Sequence, residues 1–194
     1  MFNVSQAAKI LVILPIPFKE HQSVYQPLIE NLHKHEHQIT VMTTNPIFAT
    51  RDSLTFENIT EIDLSFVHSL NILDELKDVD LEGSDMLKTI FNVMRKIYEA
   101  ELRCPKVKEL LGSQENFELV LVDWSGSSSL MNIFAHRFNA PLVAITNGEA
   151  FPNVHEAFGN PNHPVSFPSV FLPFTEDLNL LQRISSVLFT IWYR

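Results

Sequence analysis

Lys9-Ile10-Leu11-Val12-Ile13-Leu14, followed by Pro15-Ile16-Pro17-Phe18-Lys19-Glu20-His21-Gln22, decides the fold. Five consecutive aliphatic residues without polar alternation read as a strand covered on both faces, the habit of a parallel sheet. The next segment, to Leu32, has helical spacing and predicts a helix from about Ser23 to His33. Ser23 and Gln26 have capping-box spacing, and Pro27 is tolerated only in the first turn. In a parallel α/β sheet, the loop after the first strand lies at the carboxyl edge, where ligands bind. His21 lies in that loop, and an imidazole there is a candidate general base near neutral pH.

Outward from this unit, strand and helix signals alternate, as in an α/β domain with a mostly parallel sheet. Gln38 to Thr43 is rich in β-branched residues and predicts a second strand. Asn58 to Leu64 is a weaker strand. After the acidic loop at residues 78–83, Met86, Leu87, Ile90, Phe91, Met94, Ile97 and Tyr98 repeat near 3.6 residues and predict a helix packed on the core. Glu118 to Asp123 is a second buried strand. A helix from Ser127 to Phe138 and a strand from Pro141 to Thr146 follow. Asn147 to Phe174 is rich in Pro, Asn and Phe, and its length suggests a functional loop. Glu176 to Tyr193 reads as an amphipathic helix carrying Leu178, Leu181, Ile184, Leu188, Ile191 and Trp192. The sequence stops near the end of that helix without a polar tail, which suggests truncation.

A chain of 194 residues is one large domain or a piece of a longer protein. Its net charge of −9 argues against a nucleic-acid partner, which needs a basic face. The basic stretch from Lys96 to Lys108 reads as a solvated helix face. The lone cysteine, Cys104, precludes an internal disulfide and reads as a half-buried structural thiol. Ser5-Gln6-Ala7 resembles a signal-cleavage site, and Asn58-Ile59-Thr60 is a glycosylation sequon; together they suggest a lumenal chain.

Four loops follow the carboxyl ends of the best strands and hold His21, Thr44-Asn45, Asp123-Trp124-Ser125 and Asn147. A doubly wound topology gathers them on one edge. A carboxylate against one nitrogen of His21 would fix its tautomer and stabilise the imidazolium as the other nitrogen takes a proton, so Asp123 is the candidate partner. The alternative is that Asp123 caps the next helix. No metal site is expected: His33, His35 and His37 read as a solvated turn, and His155 and His163 lack accompanying carboxylates. Asp123-Trp124-Ser125-Gly126-Ser127 is not a nucleophile elbow. With five glycines and neither Gly-x-Gly-x-x-Gly nor a Walker loop, the chain does not take a nucleotide by the usual glycine route.

Ala8 to Pro15 followed by Glu20-His21-Gln22 resembles the start of UDP-glycosyltransferases. His37-Gln38-Ile39-Thr40-Val41-Met42-Thr43 is similar to a second family strand. Phe117 to Asp123, Pro141-Leu142-Val143, the loop from Asn147, and Pro173-Phe174-Thr175 leading into Leu181-Gln182-Arg183-Ile184 extend the resemblance, which has the flavour of insect, membrane-anchored members. It implies the N-terminal, acceptor-binding half of a GT-B fold, a Rossmann-like parallel sheet with flanking helices. The implied layout is a leftover signal or linker at 1–8, the acceptor domain at 9–175, and at 176–194 a helix leading toward a C-terminal donor domain. It further implies inverting, metal-independent transfer of a hexose, glucose in most insect members, from a UDP-sugar to a small lipophilic acceptor such as a toxin or other xenobiotic. His21 is then the base and Asp123 its support; no cofactor is needed beyond the co-substrate, and a membrane anchor belongs to the C-terminal part, in the endoplasmic reticulum. Phe18, Phe91, Met94, Trp124, Asn147 and Phe151 are candidate acceptor contacts by loop position and apolar character.

The sequence departs from the family at Glu36, where glycine is usual before His37, and at Trp124, where small residues are commoner. It also lacks the Trp/Pro-Gln, His-Gly-Gly and Asp-Gln signature that holds the UDP-sugar, so this piece alone is expected to be inactive. A non-catalytic module that binds a small molecule or pairs with full-length subunits is the competing reading, and homo-oligomer formation stays open.

Overall fold

The computed structural model describes residues 7–48, 56–76, 84–125, 128–148, 150–160, 163–169, 171–175 and 177–193. Residues 1–6, the acidic loop 78–83, Ser127 and Glu176, all used in reading the sequence, lie outside these; so does the side chain of Met86. The chain divides into two compact units, Met1–Asn147 and Gly148–Arg194. The division falls before the proline- and phenylalanine-rich stretch, whereas the sequence suggests one after residue 175.

The first unit is a five-stranded parallel sheet: β1 (Lys9–Leu14), β2 (Gln38–Thr43), β3 (Ile59–Asp63), β4 (Leu119–Asp123) and β5 (Leu142–Ile145), in the order β3-β2-β1-β4-β5. This is the doubly wound α/β arrangement, with β1 at the point where strand order reverses. As the unbroken aliphatic run requires, Ile10 through Leu14 are all buried. Ile10, Val12 and Leu14 pack in one cluster with Tyr25, Ile29, Ile39, Val41, Phe48 and Leu121. β1 pairs with β2 through Lys9–Gln38 to Leu14–Thr43, and with β4 through Ile10–Leu119 to Ile13–Val122. The carboxyl ends of β1 and β4 are therefore side by side.

The expected first helix is two. α1 (Lys19–Ser23) is a short turn, and α2 (Gln26–Lys34) begins after Val24 and Tyr25. Ser23 does not cap α2; it ends α1, where its hydroxyl donates to the Glu20 carbonyl. Pro27 sits in the first turn of α2, where its missing N–H costs nothing. The chain leaves α2 through Glu36 at φ 65°, and His37 N–H donates to the Leu32 carbonyl at 3.3 Å, a Schellman-type closure.

A twenty-residue helix, α3 (Ser84–Arg103), and α4 (Pro105–Gly112) fill the β3–β4 crossover. Leu87, Val93, Met94, Ile97, Tyr98 and Glu101 form the buried face of α3, so the 3.6-residue stripe is core. Cys104, half-buried, caps the break before Pro105. A 3-10 turn at Ser128–Met131 leads into α5 (Asn132–Phe138), replacing the single expected helix.

In the second unit, α6 (Pro152–Ala157) lies within the stretch expected to be a loop, and α7 (Leu180–Tyr193) is the last helix. Phe151, Phe171, Phe189 and Tyr193 form an aromatic cluster with ring centroids 5.0–6.4 Å apart. α7 is amphipathic but reversed: Ser186 and Thr190 are buried, while Leu181, Ile184, Leu188, Ile191 and Trp192 are exposed. The polar groups are satisfied locally, Ser186 by the Pro164 carbonyl and Thr190 by the Ser186 carbonyl, so they tolerate burial.

Candidate active site

The sheet order brings α1, which carries His21 where the sequence suggested a loop, and the Asp123 strand end together. Asp123 is the last residue of β4 and is fully buried; its Oδ2 lies 2.6 Å from His21 Nε2 across 102 residues of sequence. The other carboxylate oxygen accepts from Tyr25 Oη at 3.0 Å and from Ser125 N–H at 3.1 Å. Tyr25 stands edge-on to the His21 ring at 5.8 Å. Burial, and then the charge of Asp123, push the Tyr25 hydroxyl above the usual phenol range, so it remains a donor. Behind the strand, Ser128 Oγ donates to the Asp123 carbonyl at 2.8 Å and lies 3.2 Å from Tyr98 Oη, which ties α3 to the site.

Gln22, next in sequence, fixes the short helix that carries His21. Its buried amide nitrogen shares its two hydrogens among the Leu14 and Ile16 carbonyls and Thr44 Oγ1, each at 2.8 Å. Its Oε1 accepts from Thr43 Oγ1 at 2.6 Å. One side chain thus binds α1 to the ends of β1 and β2. Tyr25 and Gln22 are site residues that the sequence reading missed, and Ser125 enters it only as part of the loop after Asp123. Gln22 has a signal, since a glutamine beside the candidate base meets the polar Thr43-Thr44 strand end. Tyr25 reads only as an ordinary core aromatic.

Among the proposed acceptor contacts, Asn147 reaches His21 directly, with Nδ2 2.8 Å from Nδ1. Phe18 is 42% exposed at the N-cap of α1, next to the His21 turn. Trp124 is only 6% exposed; its indole is packed inside rather than open to a ligand, and its backbone N–H extends the β4–β5 pairing to the Ile145 carbonyl at 2.7 Å. Met94 is buried and Phe91 half-buried on α3, and Met94 lies one turn before Tyr98. Phe151 belongs to the aromatic cluster of the second unit. Among the described residues no three of His, Cys, Asp or Glu converge to hold a metal. His33 packs on Phe56, His35 Nδ1 lies 2.9 Å from the Asn31 carbonyl, and His37 Nδ1 accepts from Ala8 N–H.

Fold and site together define a parallel α/β domain with a buried-carboxylate histidine at its topological switch point, an arrangement suited to taking a proton from a bound hydroxyl. Sequence comparison then shows what the chain is similar to: its curated relatives are UDP-glycosyltransferases. It is 26% identical over 188 residues to UDP-glucosyltransferase 2 of Dactylopius coccus, covering 95% of this chain and 35% of that protein. UDP-glycosyltransferase UGT4 of the same insect is 25% identical over 98% of this chain and 37% of its own. The ecdysteroid UDP-glucosyltransferase of Spodoptera littoralis nuclear polyhedrosis virus is 23% identical over 94% of this chain and 38% of its own. The chain thus spans little more than a third of the length of these relatives. No protein-family model matches the sequence. A solved structure, that of the calicheamicin glycosyltransferase CalG4, aligns with 97% of this chain and 41% of its own at a TM-score of 0.49 and 16% identity.

Proposed function

We propose that this chain is the acceptor-binding half of a GT-B, inverting, metal-independent UDP-glycosyltransferase that moves a hexose, glucose by the names of its relatives, onto a hydroxyl of a small lipophilic molecule. The 2.6 Å contact between His21 Nε2 and buried Asp123 at the switch point carries the reading. His21 takes the hydroxyl proton on the nitrogen not held by Asp123. The oxygen forms its bond to C1 of the sugar, and the bond from C1 to the UDP oxygen breaks with its electron pair on UDP. Asp123 balances the charge of the imidazolium, while Tyr25 and Ser125 keep the carboxylate aimed at the ring. The donor is held mainly by chain beyond these residues, where a membrane anchor in the endoplasmic reticulum also belongs. A role in clearing lipophilic compounds, with an ecdysteroid as one acceptor to try, follows from the same reading.

The test is UDP release by the full-length protein from UDP-glucose with a simple phenol or an ecdysteroid. His21→Ala is expected to lower turnover by about a hundredfold or more with acceptor binding kept. Unchanged turnover would remove His21 from the chemistry and favour the binding-module reading.

A further inference from the structure

Both ring nitrogens of His21 are occupied. A carboxylate only accepts, so the 2.6 Å contact with Asp123 Oδ2 places a hydrogen on Nε2 and, in the neutral ring, a lone pair on Nδ1. An amide nitrogen only donates, so Asn147 Nδ2, 2.8 Å from Nδ1, requires the same tautomer. The circuit closes through Ser125. Its Oγ lies 3.5 Å from Asn147 Oδ1 and 3.1 Å from Thr146 Oγ1, and its N–H donates to Asp123 Oδ1. The nitrogen left for a base is therefore already capped.

We propose that Asn147 is a positioning residue that holds the basic Nδ1 of His21 until an acceptor hydroxyl replaces it, and then turns its amide to accept from the newly formed Nδ1–H. The base role rests on the transferase reading; the tautomer does not. An acceptor hydroxyl must come within about 2.6–3.2 Å of Nδ1, the space that Asn147 Nδ2 fills. Asn147 is exposed and follows β5 in a bend, so its side chain has room to move. When the hydroxyl proton moves to Nδ1 and the oxygen bonds to C1, the ring carries hydrogen on both nitrogens. Asp123 still accepts from Nε2. A half-turn of the Asn147 amide presents Oδ1 to Nδ1–H with no change of shape. An amide serves both states of the base because it offers a donor and an acceptor on one planar group. A carboxylate at this position can only accept, and it would hold the ring doubly protonated.

Long-range proton–nitrogen correlation spectra of the nitrogen-labelled 194-residue chain at about pH 8 read this directly. The His21 signals are assigned by their loss in His21→Gln. Wild type and Asn147→Ala are expected to show the Nε2–H tautomer, and Asn147→Asp a ring protonated on both nitrogens at the same pH. A wild-type Nδ1–H tautomer, or an Asn147→Asp ring identical to wild type, overturns the proposal. In the full-length enzyme, Asn147→Asp is expected to lower kcat at least tenfold with KM for UDP-glucose unchanged. Full kcat in Asn147→Asp, beside an inactive His21→Ala, overturns the part given to Asn147 and leaves the transferase reading intact. If wild type does not transfer at all, that reading falls, while the spectra still decide the tautomer.

Discussion

Glu101 is the residue whose surroundings least suit its charge. It is fully buried on α3, and neither carboxylate oxygen has a hydrogen-bond partner among the described residues. Burial, with a smaller contribution from Cys104, holds its carboxyl well above the ordinary value of 4.5, so the folded chain keeps the acid form. The unfolded chain ionises the same group above about 4.5. The stability that Glu101 contributes is therefore full below that pH and is lost as pH rises toward the folded value. Glu101→Gln keeps the shape and cannot ionise. Its melting temperature is expected to exceed that of wild type at about pH 8, by the equivalent of about 1–3 kcal/mol, and to approach it at about pH 4. Thermal melts of both proteins at the two pH values check this; an equal difference at each would mean that the group does not titrate on unfolding. The site treats its own carboxylate in the opposite way. Asp123 is just as buried, but it receives Tyr25 Oη, Ser125 N–H and His21, so its oxygens have the donors that those of Glu101 lack.

At the scale of elements, α2 ends with a conflict between sequence and backbone. The Schellman-type closure needs a left-handed residue, and Glu36 supplies it at φ 65°, a conformation that costs a residue with Cβ about 1 kcal/mol or more. The departure from glycine noted at this position thus falls where glycine has a physical advantage. Glu36→Gly is expected to raise unfolding stability by about 0.5–1 kcal/mol, since relief of the strained φ outweighs the extra freedom of the unfolded chain. Urea unfolding measures it, and a loss of stability would mean that the Glu36 side chain contributes more than its backbone costs. The strands were the legible elements: β1, β2, β4 and β5 follow from runs of aliphatic and β-branched residues, because a strand covered on both faces needs no partner to be recognised. The helices next to the site were less legible. The division of the first helix at Val24-Tyr25 follows from Tyr25 turning inward to Asp123, a contact made by tertiary structure alone. The outward apolar face of α7 was hidden for a related reason: periodicity reports that a stripe exists, not which side of the helix it packs on.

For the whole molecule, strand order creates the site. β1 and β4 are adjacent although 104 residues separate Leu14 from Leu119, and a parallel sheet with right-handed crossovers gathers their following loops on one edge. That much of His21, Asp123 and Asn147 could be read from the chain. Tyr25 could not, because its partner is a carboxylate that only folding brings near, and Gln22 offered only its place beside the candidate base. The same edge shows what the chain lacks. A nucleotide diphosphate on a doubly wound sheet is usually held by main-chain N–H groups of a glycine-rich first turn at a helix N-terminus. Here that turn is Pro15-Ile16-Pro17-Phe18 and leads into a helix of only five residues. Two prolines offer no N–H, and no glycine allows close approach. The chain by itself is therefore expected to release no UDP from UDP-glucose above the enzyme-free rate in the presence of a phenol, and to bind UDP with a Kd no tighter than about 1 mM. Calorimetry with UDP and a coupled UDP-release assay on the purified 194-residue protein provide the measurement. Saturable micromolar binding would place a donor site within these residues, and turnover that His21→Ala abolishes would make this unit a complete transferase.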